Sequence, residues 1–151
     1  MNGRFFVALP LIAMVAASCG RPPLSGPPEL HLGRDECGTC GMILNEDRCA
    51  AAMLVEQDGQ RRHLVFDDIG CMLDFEPGSA PSTIIATFVR DYEERAWVDA
   101  SLATYLTNEK IATPMGYGFI AFARRERAVA RQAAVGGELL DYDAVVKRRA
   151  H

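Results

Sequence analysis

The stretch Cys37-Gly38-Thr39-Cys40-Gly41-Met42 packs two thiols and a thioether into one hexapeptide, with a glycine after each cysteine. Thiolate and thioether are soft donors, and together they favour Cu(I) over hard cations. Zinc accepts the thiolates but rarely uses a thioether. The glycines free the backbone to fold the sulfurs onto one side of a tight turn. Cys40 and Met42 are the first candidate ligands. Met115 is the next, in the Pro/Gly-bracketed turn Thr113-Pro114-Met115-Gly116-Tyr117-Gly118, where an apolar side chain either packs or binds something. Cu(I) accepts two- or three-coordinate geometry, so a thiolate with one or two thioethers suffices. Cys37 is a third ligand, a resolving thiol or a loop residue. A CxxC by itself also fits a redox dithiol, half of a zinc site or a short disulfide.

The other chemistry-bearing residues have plainer roles. Met72 falls on an apolar helical stripe with Ile69, Leu73 and Phe75 and reads as core. Cys71 beside it either faces the sulfur turn or is simply buried. Cys49 and Met53 lie in a strand and read as packing residues. His63, between Arg62 and Leu64, and His31, near the end of a Pro/Gly-rich run, read as ordinary surface histidines. Asp67-Asp68 is most simply a helix cap rather than a catalytic pair. No Ser/His/Asp or Cys/His frame and no Gly-rich phosphate loop appears, and the chain is not expected to be an enzyme.

The 151 residues make about one domain. A composition of 49% hydrophobic and 24% charged residues is that of a globular protein, and a net charge of −4 argues against a nucleic-acid partner. The basic cluster Lys147-Arg148-Arg149 reads as a solvated chain end. At the other end, Arg4 precedes an apolar run from Phe5 to Ala17, and Ala16-Ala17-Ser18 leads into Cys19. That is signal-peptide length, too short for a bilayer-spanning helix. The small residues ending at a cysteine resemble the lipobox of bacterial lipoproteins, with Ala16 in the usual leucine place. Residues 1–18 would then be the signal peptide and Cys19 the acylated first residue of an exported chain. The chain would be anchored on the periplasmic side of the membrane, the outer membrane in a Gram-negative cell. Several acyl chains hold stably, since each buried methylene contributes about 0.8 kcal/mol. Oxidising surroundings would also allow Cys37, Cys40, Cys49 and Cys71 to pair as disulfides.

Residues 19–33, with Pro22, Pro23, Pro27 and Pro28, read as a Pro/Gly-rich tether. Next come a strand over 48–55, Asp58-Gly59 as a hairpin turn, and a strand over 61–66. A short helix over 67–75 and a strand over 83–89 complete a first lobe, residues 34–95. Trp97 reads as a core or edge anchor and Asp99 as the cap of one helical turn. Strands over 104–111 and 117–122, a helix over 123–134 ended by Gly136-Gly137, and a strand over 138–142 before a polar terminal turn make a second lobe, residues 96–151. The expected class is α+β, two ββαβ lobes sharing one core.

In Ala17-Ser18-Cys19, Cys37-Gly38-Thr39-Cys40-Gly41-Met42, Phe66-Asp67-Asp68-Ile69-Gly70-Cys71-Met72, Thr113-Pro114-Met115-Gly116 and Gly136-Gly137-Glu138, taken in order, the chain resembles the NosL family of accessory lipoproteins for nitrous oxide reductase maturation. The resemblance implies a two-lobed ββαβ fold and a periplasmic Cu(I) chaperone. It implies passage of copper toward nitrous oxide reductase together with the NosDFY transporter complex. It implies a soft site at Cys40, Met42 and Met115, and gives Cys49 and Cys71 no role. Two other readings compete. One is a periplasmic thiol–disulfide oxidoreductase using Cys37 and Cys40, against which stands the absence of a βαβ context. The other is an interaction module built on a four-thiolate zinc site of Cys37, Cys40, Cys49 and Cys71.

Overall fold

Local chemistry starts the first lobe. Ala51–Gln57 (β1) and Gln60–Phe66 (β2) pair antiparallel across Asp58-Gly59 in a computed structural model that describes residues 23–78 and 82–149. Asp58 (φ 51°) and Gly59 (φ 72°) both take the left-handed conformation that a two-residue type I′ hairpin turn requires. Ile69–Leu73 (α1) follows, capped by the Asp68 side chain on the Gly70 N–H at 2.9 Å. Thr83–Arg90 (β3) then pairs with the far edge of β1, and Trp97–Asp99 (β4) adds a short edge strand. The sheet order is β2-β1-β3-β4, antiparallel throughout. Asp99 caps the single 3-10 turn Ala100–Leu102, as its position suggests.

The second lobe repeats the order. Thr104–Thr107 (β5), Phe119–Phe122 (β6), Arg125–Val135 (α2) and Glu138–Leu140 (β7) give a sheet ordered β6-β5-β7. β5 ends earlier than its apolar run suggests, because the Asn108 side chain accepts from the Lys110 N–H and donates to the Val135 carbonyl, turning the chain. Gly118 (φ 71°) closes that turn, and a Cβ there would lie 2.6 Å from the Asn108 carbonyl oxygen.

Two expectations fail at the C-terminus. Tyr142–Arg149 is a helix (α3), not a polar turn. Asp141 accepts from the Ala144 N–H at 2.8 Å, Val145 is buried in the shared core, and the basic residues sit in the last turn, where the helix dipole favours them. Nor is the basic cluster merely solvated. Arg149 pairs with Asp74 at 2.6 Å and lies 4.6 Å over the Tyr117 ring, while Arg148 pairs with Glu138.

Period-two alternation explains how one core serves both lobes. Tyr105, Phe119 and Ala121 of the second sheet join Phe66, Ile69, Met72 and Val89 of the first lobe. Their neighbours Leu106, Ile120 and Phe122 point the other way, into a second cluster with Cys49, Ile111 and Ala128 of α2. Buried Asp91 stitches the sheets together. Its oxygens accept from the Glu93 and Glu94 amides and, at 2.7 Å, from Ala123 N–H just beyond β6.

The described part of the Pro/Gly-rich segment lies against the first sheet. Arg61 donates to the Leu24 carbonyl, His63 Nε2 meets the Gly26 carbonyl at 2.8 Å, and the Trp97 indole donates to the Pro28 carbonyl at 2.8 Å. These partners sit on β2 and β4, the two edge strands, and Leu30 packs against the core. Trp97 is thus an edge anchor, as expected. The signal-peptide residues and Cys19 lie outside the described residues. Among the described residues no helix is long and apolar enough to cross a membrane.

Candidate metal centre

The sulfur turn is fixed by its own backbone. Cys37 N–H donates to the Met42 carbonyl at 2.8 Å and Gly41 N–H to the Cys37 carbonyl at 2.9 Å, and a bridge between Glu36 and Ile43 closes the base. Gly41 takes φ 72°, which reverses the chain after the second thiol. The turn is docked twice. Gly38 N–H donates to the Val65 carbonyl at the end of β2, and Thr39 Oγ1 donates to the Cys71 carbonyl in α1 at 2.6 Å. Gly38 sits so close to Phe66 that a Cβ would lie 3.1 Å from the ring. Docking sends Cys37 inward and leaves Cys40 and Met42 on the surface, Met42 being 53% exposed.

Beneath that turn the Sγ atoms of Cys37, Cys40 and Cys71 and a carboxylate oxygen of Asp67 all lie within 4.8 Å of one another. Cys37, Asp67 and Cys71 are 2%, 3% and 1% exposed; Cys40 is exposed. The Cys40 sulfur stands 4.0 Å from both Asp67 oxygens. Burial pushes the Cys37 thiol up, and it pushes Cys71 up further, where the neighbouring Cys37 sulfur and the Asp67 carboxyl add to it. All the described cysteines are free thiols.

The late loop reaches the same end of α1. Asp68 Oδ2 accepts from Thr113 Oγ1 at 2.6 Å and from Met115 N–H at 3.0 Å, while its other oxygen caps the helix. Thr113 Oγ1 in turn accepts from the Gly118 N–H. The Tyr117 ring covers Gly70, where a Cβ would fall 2.0 Å from the ring, and its hydroxyl donates to Asp74 at 2.7 Å. Met115 is left 38% exposed. A groove of about 280 Å³ opens between the two loops, with Met42 on one wall, Thr113 and Pro114 on the other, and Asp67, Cys49 and Tyr92 also lining it.

Asp67 and Asp68 therefore divide the work that the sequence assigned jointly to a helix cap. Asp68 is the cap, whereas Asp67 faces the thiols and is a functional candidate that sequence reasoning missed. Cys71 joins Cys37 and Cys40, one of the two positions open to it in the sequence. Cys49 does not. It packs with Leu106 and Phe122 in the second core cluster, where burial pushes its thiol up to about 12. The four-thiolate zinc reading is thereby corrected: the fourth donor at that cluster is Asp67. Met53 and Met72 are core residues, as expected. His63 is engaged with the Gly26 carbonyl and His31 lies beside Asp35, so neither belongs to the cluster.

Comparison with known proteins agrees with this architecture. The model of the NosL family matches residues 30–149. Among solved structures, the chain is similar to the crystal structure of the copper chaperone NosL from Shewanella denitrificans. Identity is 22% and the TM-score 0.57, over 78% of this chain and 96% of that one. At that identity the likeness is one of fold. A search of curated proteins finds no match.

Proposed function

The chain belongs to the NosL family, and we propose on that premise that it is a membrane-anchored Cu(I) chaperone. Its outer site would consist of Cys40, Met42 and Met115. One observation carries the reading: adjacent residues hold both halves of that site. Asp67 touches the Cys40 thiol, and Asp68 holds the Met115 amide. Cys40, Met42 and Met115 are all exposed, Met42 lines the groove and Thr113 and Pro114 bring the late loop to its other wall, and a thiolate with two thioethers suits Cu(I).

A low-coordinate surface site suits a carrier. A partner's ligand can add to the ion before a methionine leaves, so no free ion has to form. Thiolate ligation also makes affinity fall as pH drops, because protons compete for Cys40. The client would be nitrous oxide reductase, with a NosDFY-type complex as partner, and acylated Cys19 would hold the chain at the periplasmic membrane face. The family resemblance and the leader sequence support these assignments.

Anaerobic Cu(I) titration of the reduced protein against a competing chelator tests the reading. Cys40→Ser and Met115→Leu should each weaken binding by tenfold or more, about 1.4 kcal/mol. Unchanged affinity in both would refute it. The closeness of Cys37 and Cys40 keeps a dithiol–disulfide reading available, although every named strand pair is antiparallel, so neither sheet has two adjacent parallel strands joined through a helix. Under that reading Met115→Leu would leave copper binding and thiol exchange alike untouched.

A further inference from the structure

We propose that the hairpin end of the first sheet is a lipid-contact surface. Ile84, Ile85 and Leu24 would rest at headgroup depth in the bilayer that holds Cys19, with the sulfur turn directed away from it. The inference rests on the anchoring reading and adds to it which face of the protein meets lipid.

The sheet gathers these residues at one end. Arg61, Glu56 and Thr83 stand side by side on β2, β1 and β3, and Arg62, Val55 and Ile84 form the next row. Ile85 is the extra residue of a β-bulge, between the pairs Val55–Ile84 and Leu54–Ala86. The bulge interrupts the alternation of faces, and both isoleucines stand out, Ile84 45% and Ile85 41% exposed. No named strand flanks them on the far side, since β4 pairs only with Phe88, Val89 and Arg90. Leu24, also exposed, is held at this end by Arg61, which donates to its carbonyl. On the second row a cavity of about 280 Å³ adds apolar area, lined by Val55, Leu64, Phe75 and Pro77 with Arg62 beside them.

Clustered aliphatic exposure marks a contact surface, whereas scattered single residues need no account. The length of the preceding chain says what the contact is. Cys19 stands five residues before Leu24, so an acyl anchor there keeps Leu24 within about 18 Å of the lipid. Two interstrand steps of about 4.8 Å then lead from Arg61 to Thr83, next to Ile84. The opposite end lies well away. Trp97 pairs with Arg90, six residues past Ile84 and about 20 Å along the strand, and the sulfur turn docks on Val65 toward that same end.

A second copy is a worse occupant, because a bulged edge twists away from strand pairing. Charge does not drive the contact either: Arg61 is paired with Glu56, and exposed Arg62 and Asp58 offset one another. The open edge of β3 excludes deep insertion, since hydrocarbon offers its backbone no hydrogen bonds. Contact is therefore apolar and shallow.

The test uses the full acylated chain in nanodiscs of phosphatidylethanolamine and phosphatidylglycerol, with acyl chains brominated near the headgroup. Trp97, the single tryptophan of the chain, reports the far end. Its emission should be the same with and without bromine, whereas Ile84→Trp should add an emission that bromine largely removes. Adding Ile85→Asp should restore that emission while the anchor keeps the chain on the disc. Hydrogen exchange gives a readout with the surface unaltered. On discs, relative to unacylated Cys19→Ser in solution, peptides spanning 57–62 and 82–86 should exchange more slowly, and those spanning 37–42 and 113–118 should not change. Equal quenching at both tryptophans, no quenching in Ile84→Trp, or protection at 82–86 that needs no lipid and grows with protein concentration, as a second copy would give, would overturn the proposal. Mass spectrometry of the Cys19 peptide separates the two readings. An unmodified Cys19 sinks the anchor and this surface with it, while an acylated chain with unquenched Ile84→Trp sinks the surface alone.

Discussion

Removing the Asp68 carboxylate should uncouple the late loop from the sulfur turn. In Asp68→Ala three donors lose their buried acceptor: the Gly70 amide, the Thr113 hydroxyl and the Met115 amide, the last two in part-buried positions. Loss of the helix cap costs about 1 kcal/mol. Each hydrogen bond to a charged acceptor contributes about 1.5–3 kcal/mol, with incomplete additivity. About 3 kcal/mol in total is a fair expectation, or a fall in Tm of roughly 10 °C for a domain of this size. The functional effect follows separately. An untied Met115 must be ordered again when copper binds, at about 1–2 kcal/mol for one backbone residue. That is roughly a tenfold loss of Cu(I) affinity. Thermal unfolding followed by circular dichroism and anaerobic chelator competition give the two readouts. Thr113→Val is the companion variant: it spares the helix cap, so it should lose less stability and still weaken copper binding. If Asp68→Ala lost its stability while holding Cu(I) within twofold of wild type, Asp68 would not be what positions Met115, and the two-loop site would fall.

Asp91→Ala, which strips the acceptor from the Glu93, Glu94 and Ala123 amides between the sheets, should cost about 3 kcal/mol in urea unfolding without touching the copper titration. Alkylation of the folded, reduced apoprotein at pH 8 should mark Cys40 and spare Cys37, Cys49 and Cys71 until denaturant is added, as peptide mass spectrometry would show. Stability should fall as pH rises from 9 toward 12, because the Cys49 thiol, raised by burial from 9.0 to about 12, holds its proton in the folded state when the unfolded chain has lost it. Cys49→Ala should flatten that part of the pH profile. Gly70→Ala drives a methyl into the Tyr117 ring, so it should cost several kcal/mol, about 3 being typical of severe overpacking, and displace the late loop with it.

What the sequence displays is what neighbours in the chain decide. Asp58-Gly59 announces its hairpin because two successive left-handed residues suit few other pairs. Asp68 announces α1, and the apolar run Phe119–Phe122 announces a strand. The ββαβ repeat was therefore open to inspection, and both sheets follow it. Asp67 was not. Only the fold brings β2's end under a turn centred near Cys40, and no local pattern separates its task from that of Asp68. Cys71 is the same case, docked to the turn through Thr39 across a long stretch of chain. The terminal helix was hidden for another reason. Val145 is its one fully buried residue, with Tyr142 and Ala144 half-buried beside it, so the sequence shows no continuous apolar stripe even though the helix packs on the shared core. Pro22 to Pro28 looked like free linker because the segment makes no core of its own. From Leu24 to Pro28 it borrows the edges of a sheet assembled far downstream.

That borrowing shortens the leash. On the proposed acylation of Cys19, the chain is grasped again as soon as Leu24, where Arg61 holds its carbonyl. Five Cα steps reach at most about 18 Å. From Arg61 the strand runs on toward Phe66 and the thiols, a further 17 Å or so. The cargo would then ride no more than about 35 Å above the lipid, and whichever protein takes it must come within that height to collect.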